Sequence, residues 1–111
     1  MKTAIAAAGN TRNAQIDQRF ARAEYIIVFD DTGEISDTFQ NSYKDAEHGA
    51  GTGVAAWMNE NNIDVIIAAT YGPKASKSLL SMGKRLYIAD TTMTVNEAYS
   101  ALQEGSLKEF S

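Results

Sequence analysis

The hydrophobic period of this chain changes at Gly49. Before that point apolar residues come in short runs or alternate with polar ones, the spacing of strands. Beyond it, helical spacing and short apolar runs take turns. A chain patterned in this way is confined to an α/β fold in which a strand meander is followed by strand–helix crossovers.

Three strands are predicted ahead of the change. Thr3–Ala8 is an apolar run ended by Gly9-Asn10, and Gly9–Arg19 is a polar loop. Tyr25–Phe29 carries the strongest strand signal and stops at Asp30-Asp31-Thr32-Gly33, a hairpin turn, from which Glu34–Gln40 returns. Asn41–His48 is a polar connection. After it, Val54, Trp57 and Met58 recur at helical spacing, so Ala50–Asn61 is a helix; Asp64–Ala69 is a buried strand. Pro73 opens a helix over Pro73–Met82 that Gly83 closes, with Met82, like Trp57 and Met58, expected in the core. Arg85–Ala89 is a further strand. Thr94 and Glu97 form a capping-box signature at the start of a last helix, Val95–Glu104.

The order is βββαβαβα. Right-handed crossovers make the first, fourth and fifth strands parallel, in a five-stranded mixed sheet flanked by helices, with the first strand central and a ribonuclease-H-like architecture expected. A length of 111 residues suits one domain over residues 1–111, and 44% apolar content is enough for its core. The apolar start is too short for an export signal, no run of apolar residues is long enough to span a membrane, and a cytoplasmic location is expected. Cysteine is absent, which removes thiolate catalysis and thiolate metal ligation. The net charge of −4, without a basic block, argues against a general nucleic-acid partner.

This topology collects the long loops at one edge of the sheet. Gly9–Glu24, Asn41–Gly51, Thr70–Pro73 and Asp90–Thr94 all lie at the carboxyl ends of the parallel strands, where α/β sheets bind ligands. Three helix N-termini should point there, and each favours an anion. Arg12, Arg19, Arg22, Lys74 and Lys77 fall in or beside these loops, and Gly49, Gly51 and Gly53 allow backbone to approach closely. An anionic ligand is one reading; capped turns and solvated surface charge are the other. His48, the one histidine, is a metal ligand, a donor to an anion or a polar loop residue. Asp17 is a ligand or a cap for the turn ahead of Phe20. Tyr71 covers a ligand or packs on its loop.

The residues also carry a resemblance. Ile16-Asp17-Gln18-Arg19-Phe20-Ala21-Arg22-Ala23 is similar to the D-x-R-F-G-R-A segment of the dinitrogenase iron–molybdenum cofactor biosynthesis family, the NifX-like and orange-protein-like domains. Met1–Ala6, His48-Gly49-Ala50-Gly51, Ile63–Ile67, Gly72-Pro73-Lys74-Ala75, Gly83–Tyr87, Thr94–Ala98 and Gly105-Ser106-Leu107 resemble further blocks in the same order, so the match spans nearly the whole chain. Ala21 departs from it, standing where the family usually has glycine.

The resemblance implies a carrier and not an enzyme. Its expected cargo is iron–molybdenum cofactor, a precursor of it or a molybdenum–copper sulfide cluster, held without covalent attachment and passed between donor and acceptor proteins. On that basis Asn10, Arg12, Asp17, Arg22, Gly49, Gly51, Tyr71 and Lys74 are the expected cofactor contacts, and His48 the expected metal ligand. Two rival classes stand beside it. Ribonuclease H chemistry needs carboxylates on the central strand to hold metal ions, and Thr3–Ala8 has none. A protein-interaction or regulatory domain without a cluster is the serious alternative, since fold transfers between relatives more safely than ligand.

Overall fold

A computed structural model describes residues 1–110. The elements are β1 (Lys2–Ala7), β2 (Tyr25–Phe29), β3 (Ile35–Gln40), α1 (Ala50–Glu60), β4 (Ile63–Ala68), α2 (Pro73–Ser81), β5 (Arg85–Ile88), α3 (Val95–Glu104) and β6 (Lys108–Phe110). They form one mixed sheet in the order β3-β2-β1-β4-β5-β6. β1 pairs in parallel with β4, and β4 with β5; the remaining pairs are antiparallel. The parallel trio and the inner position of β1 are as the element order and right-handed crossovers predict.

The two faces of the sheet carry different cores. Alternation along β1 sends Ala4 and Ala6 to one side and Ile5 and Ala7 to the other. Ala4, Ala6, Ile26, Val28 and Ile66 meet Val54, Ala55 and Met58 of α1 and Ala75 and Leu79 of α2. Ile5, Ala7, Ile27, Phe29 and Ile67 meet Val95 and Ala98 of α3. Trp57 is half-buried and stacks on Phe39 with ring centroids 4.5 Å apart.

Two expectations need correction. The sheet has six strands and not five. β6 is three residues long, Lys-Glu-Phe, too short to show a period, and it exists because it completes the edge of β5. Phe110 lies 5.2 Å from the ring of Tyr71, and Glu109 pairs with Arg85. Met82 is 38% exposed and lies outside the core, because α2 ends at Ser81 and carries it past the last turn facing the sheet.

Gly53, inside α1, is a packing requirement. A Cβ built there would stand 2.5 Å from the ring of Tyr43. Helix propensity alone favours alanine over glycine by about 1 kcal/mol, whereas overpacking costs roughly 1–3 kcal/mol. Gly53→Ala is therefore expected to lower stability by about 1 kcal/mol in urea unfolding. A gain in stability would show that Tyr43 yields without cost.

Candidate functional site

The carboxyl edge of β1, β4 and β5 opens into a cleft of about 550 Å³ between the starts of α1 and α2. Arg22, Glu47, His48, Lys74 and the backbone of Gly49–Thr52 and Gly72–Ala75 form its walls. The two helix starts meet because residue 51 has no side chain: a Cβ there would stand 3.1 Å from the Ala75 methyl. Gly49 caps α1 in the left-handed region, at φ 78°, which a glycine enters without strain.

Five residues that line this cleft have a backbone N–H without an acceptor among the described residues: Ala50, Gly51 and Thr52 in α1, and Lys74 and Ala75 in α2. The first intrahelical bonds begin just after them, Gly53 N to Gly49 O at 2.8 Å and Ser76 N to Gly72 O at 3.0 Å. Neither helix has a side-chain cap or an acidic residue in its first turn. Both ends therefore keep their partial positive charge, and the Lys74 ammonium adds to it.

α3 differs, and this corrects the expectation of three available helix starts. The Thr94 side chain accepts from Glu97 N, and the Glu97 carboxylate accepts from Thr94 N, completing a capping box. Val95 N and Asn96 N donate to the carbonyls of Ala14 and Arg12. This helix start is satisfied by protein, so two N-termini and not three are open to a ligand.

The nine expected contacts divide. Arg22, Gly49, Gly51, Lys74 and His48 come together in the cleft. Arg22 also braces it: its Nη1 donates to the carbonyls of Lys44 and Ala46 at 2.8 and 2.9 Å, pinning the loop that carries Glu47 and His48. His48 is exposed at the rim.

Arg12 and Asn10 lie outside this cleft. The loop after β1 lies over the α3 side of the sheet. There Arg12 stacks 4.9 Å above the Phe29 ring and donates to Gly33 O, in the hairpin at the opposite end of the strands. Asn10 is exposed on the same loop and does not line the cleft.

Asp17 is a cap, receiving Arg19 N on one carboxylate oxygen and Glu24 N on the other. Tyr71 is a structural wedge. Its hydroxyl lies 2.7 Å from the Tyr87 carbonyl and 3.1 Å from that of Ile66, and burial pushes the phenol well above its ordinary pKa. Of the other basic residues, Arg19 lines a smaller adjoining cleft and Lys77 lines neither.

Sequence reading missed Glu47 and Thr52 in the wall, and Asn41 behind it. Asn41 is 1% exposed. Its amide donates to the carbonyls of Ala21 and Ala23 at 2.9 Å each, and its oxygen accepts from Tyr43 N. It ties the two loops that hold Arg22 and His48. The signal available in sequence was an asparagine directly after a strand, where side chains of this type organise turns. Among the described residues, no group of three or more histidine, cysteine, aspartate or glutamate side chains could hold a metal ion. No helix there is long and apolar enough to cross a membrane.

Comparison with known proteins gives four findings. The family model described as dinitrogenase iron-molybdenum cofactor matches residues 1–105. An uncharacterized protein of Methanocaldococcus jannaschii is 31% identical over 101 residues, covering 88% of this chain and 85% of that protein. Among solved structures, the apo form of the orange protein from Desulfovibrio gigas superposes with a TM-score of 0.93 at 25% identity, covering 99% of this chain and 92% of that one. A candidate NifB protein from Thermotoga superposes at 0.84 with 33% identity, covering 97% and 91%.

Asn41→Ala removes three hydrogen bonds from a buried position and is expected to destabilise the chain by roughly 1–3 kcal/mol in urea. Tyr71→Phe should cost about 1 kcal/mol, for the one proton it shares between two carbonyls. Unchanged urea midpoints in both variants would contradict these structural roles.

Proposed function

The chain belongs to the dinitrogenase iron-molybdenum cofactor family, and from that premise we propose that its cleft holds a preformed anionic metal–sulfur cluster as cargo and releases it to an acceptor protein. One observation carries the reading: five residues whose N–H groups have no protein acceptor line one open cleft together with Arg22, and one of the five, Lys74, brings an ammonium group. Such a set stabilises a negatively charged group whatever its covalent identity.

The donor chemistry favours an assembled cluster over free metal ions. Capturing iron or molybdenum ions needs several thiolate, imidazole or carboxylate ligands. The cleft has one imidazole, His48, and one carboxylate, Glu47. A cluster whose metals are already satisfied by their own sulfides needs only N–H···S contacts, countercharge and at most one imidazole. Glu47 opposes part of the countercharge, which suits a cargo that has to leave again.

In this reading the protein binds and transfers and performs no covalent chemistry. The cargo is iron–molybdenum cofactor, a precursor of it or a molybdenum–copper sulfide cluster. Its donor and acceptor are proteins, and the carrier works as one domain in the cytoplasm. The core order β3-β2-β1-β4-β5 is compatible with a ribonuclease-H-like architecture, with β6 an addition at the edge.

Anaerobic titration of the apo-protein with a preformed iron–molybdenum or molybdenum–copper sulfide cluster, followed by visible absorbance, tests this. Saturation near one cluster per chain is expected. Lys74→Glu should weaken binding by about tenfold or more without lowering the urea midpoint, since Lys74 is exposed and makes no ion pair among the described residues. His48→Ala should alter the spectrum of the bound cluster. A folded wild-type chain that binds none of these clusters would instead be a cluster-free interaction or regulatory domain.

A further inference from the structure

Seven of the eight glycines are explained by the fold. Four sit at positive φ, and three press against a neighbour 2.5–3.1 Å from where a Cβ would stand. Gly72 has neither reason. Its backbone, φ −68° and ψ 155°, is the extended conformation that any residue adopts before a proline, and nothing lies within 4 Å of the position its Cβ would take.

The position is also one where another residue would stabilise the chain. Gly72 is the N-cap of α2, where serine or aspartate would accept from the free amides of Lys74 and Ala75, as Thr94 does for α3. A side chain there would also reduce the conformational freedom of the unfolded chain.

Its location supplies the reason that the fold does not. The main cleft adjoins a second one of about 310 Å³ that includes Arg19, Thr70 and Tyr71. The two share three residues: Ala21, Arg22 and Gly72. Gly72 therefore stands on the boundary that the two clefts share, and each cleft has an arginine at its wall.

We infer that Gly72 is a specificity-determining residue of the cleft. By having no side chain it leaves the start of α2 to be capped by the cargo, and it leaves the boundary shared by the two clefts clear for a bulky anion that extends over both. A small oxyanion, seated on the α1 amides alone, does not extend across that boundary. The inference rests on the anion-binding reading of the cleft and adds to it the residue that selects for size.

The test compares wild type with Gly72→Ala, which adds volume alone, and Gly72→Asp, which adds a cap and a negative charge. Each is titrated anaerobically with a molybdenum–copper sulfide cluster, with tetrathiomolybdate and with inorganic phosphate. Urea midpoints are measured in parallel, and the Lys74 and Ala75 amide signals are followed by nitrogen-15 NMR during the tetrathiomolybdate titration. Both variants should have urea midpoints equal to or above wild type. Gly72→Ala should bind the cluster about tenfold or more weakly, while its phosphate affinity changes little. Gly72→Asp should not bind the cluster, and its Lys74 and Ala75 signals should no longer respond to tetrathiomolybdate. Variants that bind the cluster as wild type does, or that lose stability, would overturn the assignment of Gly72 and leave the cleft reading intact. Wild type that binds none of the three anions would overturn the cleft reading and the inference with it.

Discussion

The parallel pairing of β1 with β4 is the constraint on which the rest of the molecule depends. Residues Ala4–Ala7 are at most 1% exposed, so β1 is covered on both faces and cannot slip register without exposing its core to water. Parallel strands need a crossover, and β4 is reached from β3 only by way of α1. The second parallel pair, β4 with β5, requires α2 in the same way. Both helices start at the carboxyl edge, and the small side chains of Ala4 and Ala6 leave room for them on one face. An edge at which helix N-termini gather is thus a by-product of strand order before any particular residue is chosen.

What distinguishes this edge is how its helix starts are treated. α3 is closed by its own Thr94–Glu97 capping box and by the carbonyls of the loop after β1. α1 and α2 are left open and brought together by Gly51 against Ala75. Unsatisfied amides are a cost to a folded chain unless water or a ligand meets them. Leaving two ends open side by side, beneath Arg22 and Lys74, concentrates positive potential on a chain whose net charge is −4. Arg22 couples this potential to shape, since the same guanidinium that lines the cleft anchors the loop bearing His48.

Much of this was legible from the residues. Period and punctuation located eight of the nine elements, and strand order then placed Arg22, His48, Gly49, Gly51 and Lys74 on one edge. β6 escaped because three residues cannot display a period, and its stability comes from β5 and the Tyr71 ring rather than from itself. Arg12 was misplaced because a loop assigned to an edge is still free to fold back over a face, and the Phe29 ring and the Gly33 carbonyl draw it there. Asp17 and Tyr71 belong to the right loops, but their polar atoms are occupied by backbone groups, and occupancy of that kind has no sequence signature.

The amino-acid sequence by itself therefore determined the order of the first eight elements, the parallel core and the edge at which the loops gather, because hydrophobic period and chain handedness are local or topological properties. Only the tertiary structure decided which of the gathered groups remain available to a ligand. Availability depends on what every neighbouring donor and acceptor has already bonded: two helix starts are left open and one is closed, one arginine lines the cleft and another is drawn away to a carbonyl at the far end of the sheet. That balance is struck between residues distant in the chain, and it exists only once the fold has brought them together.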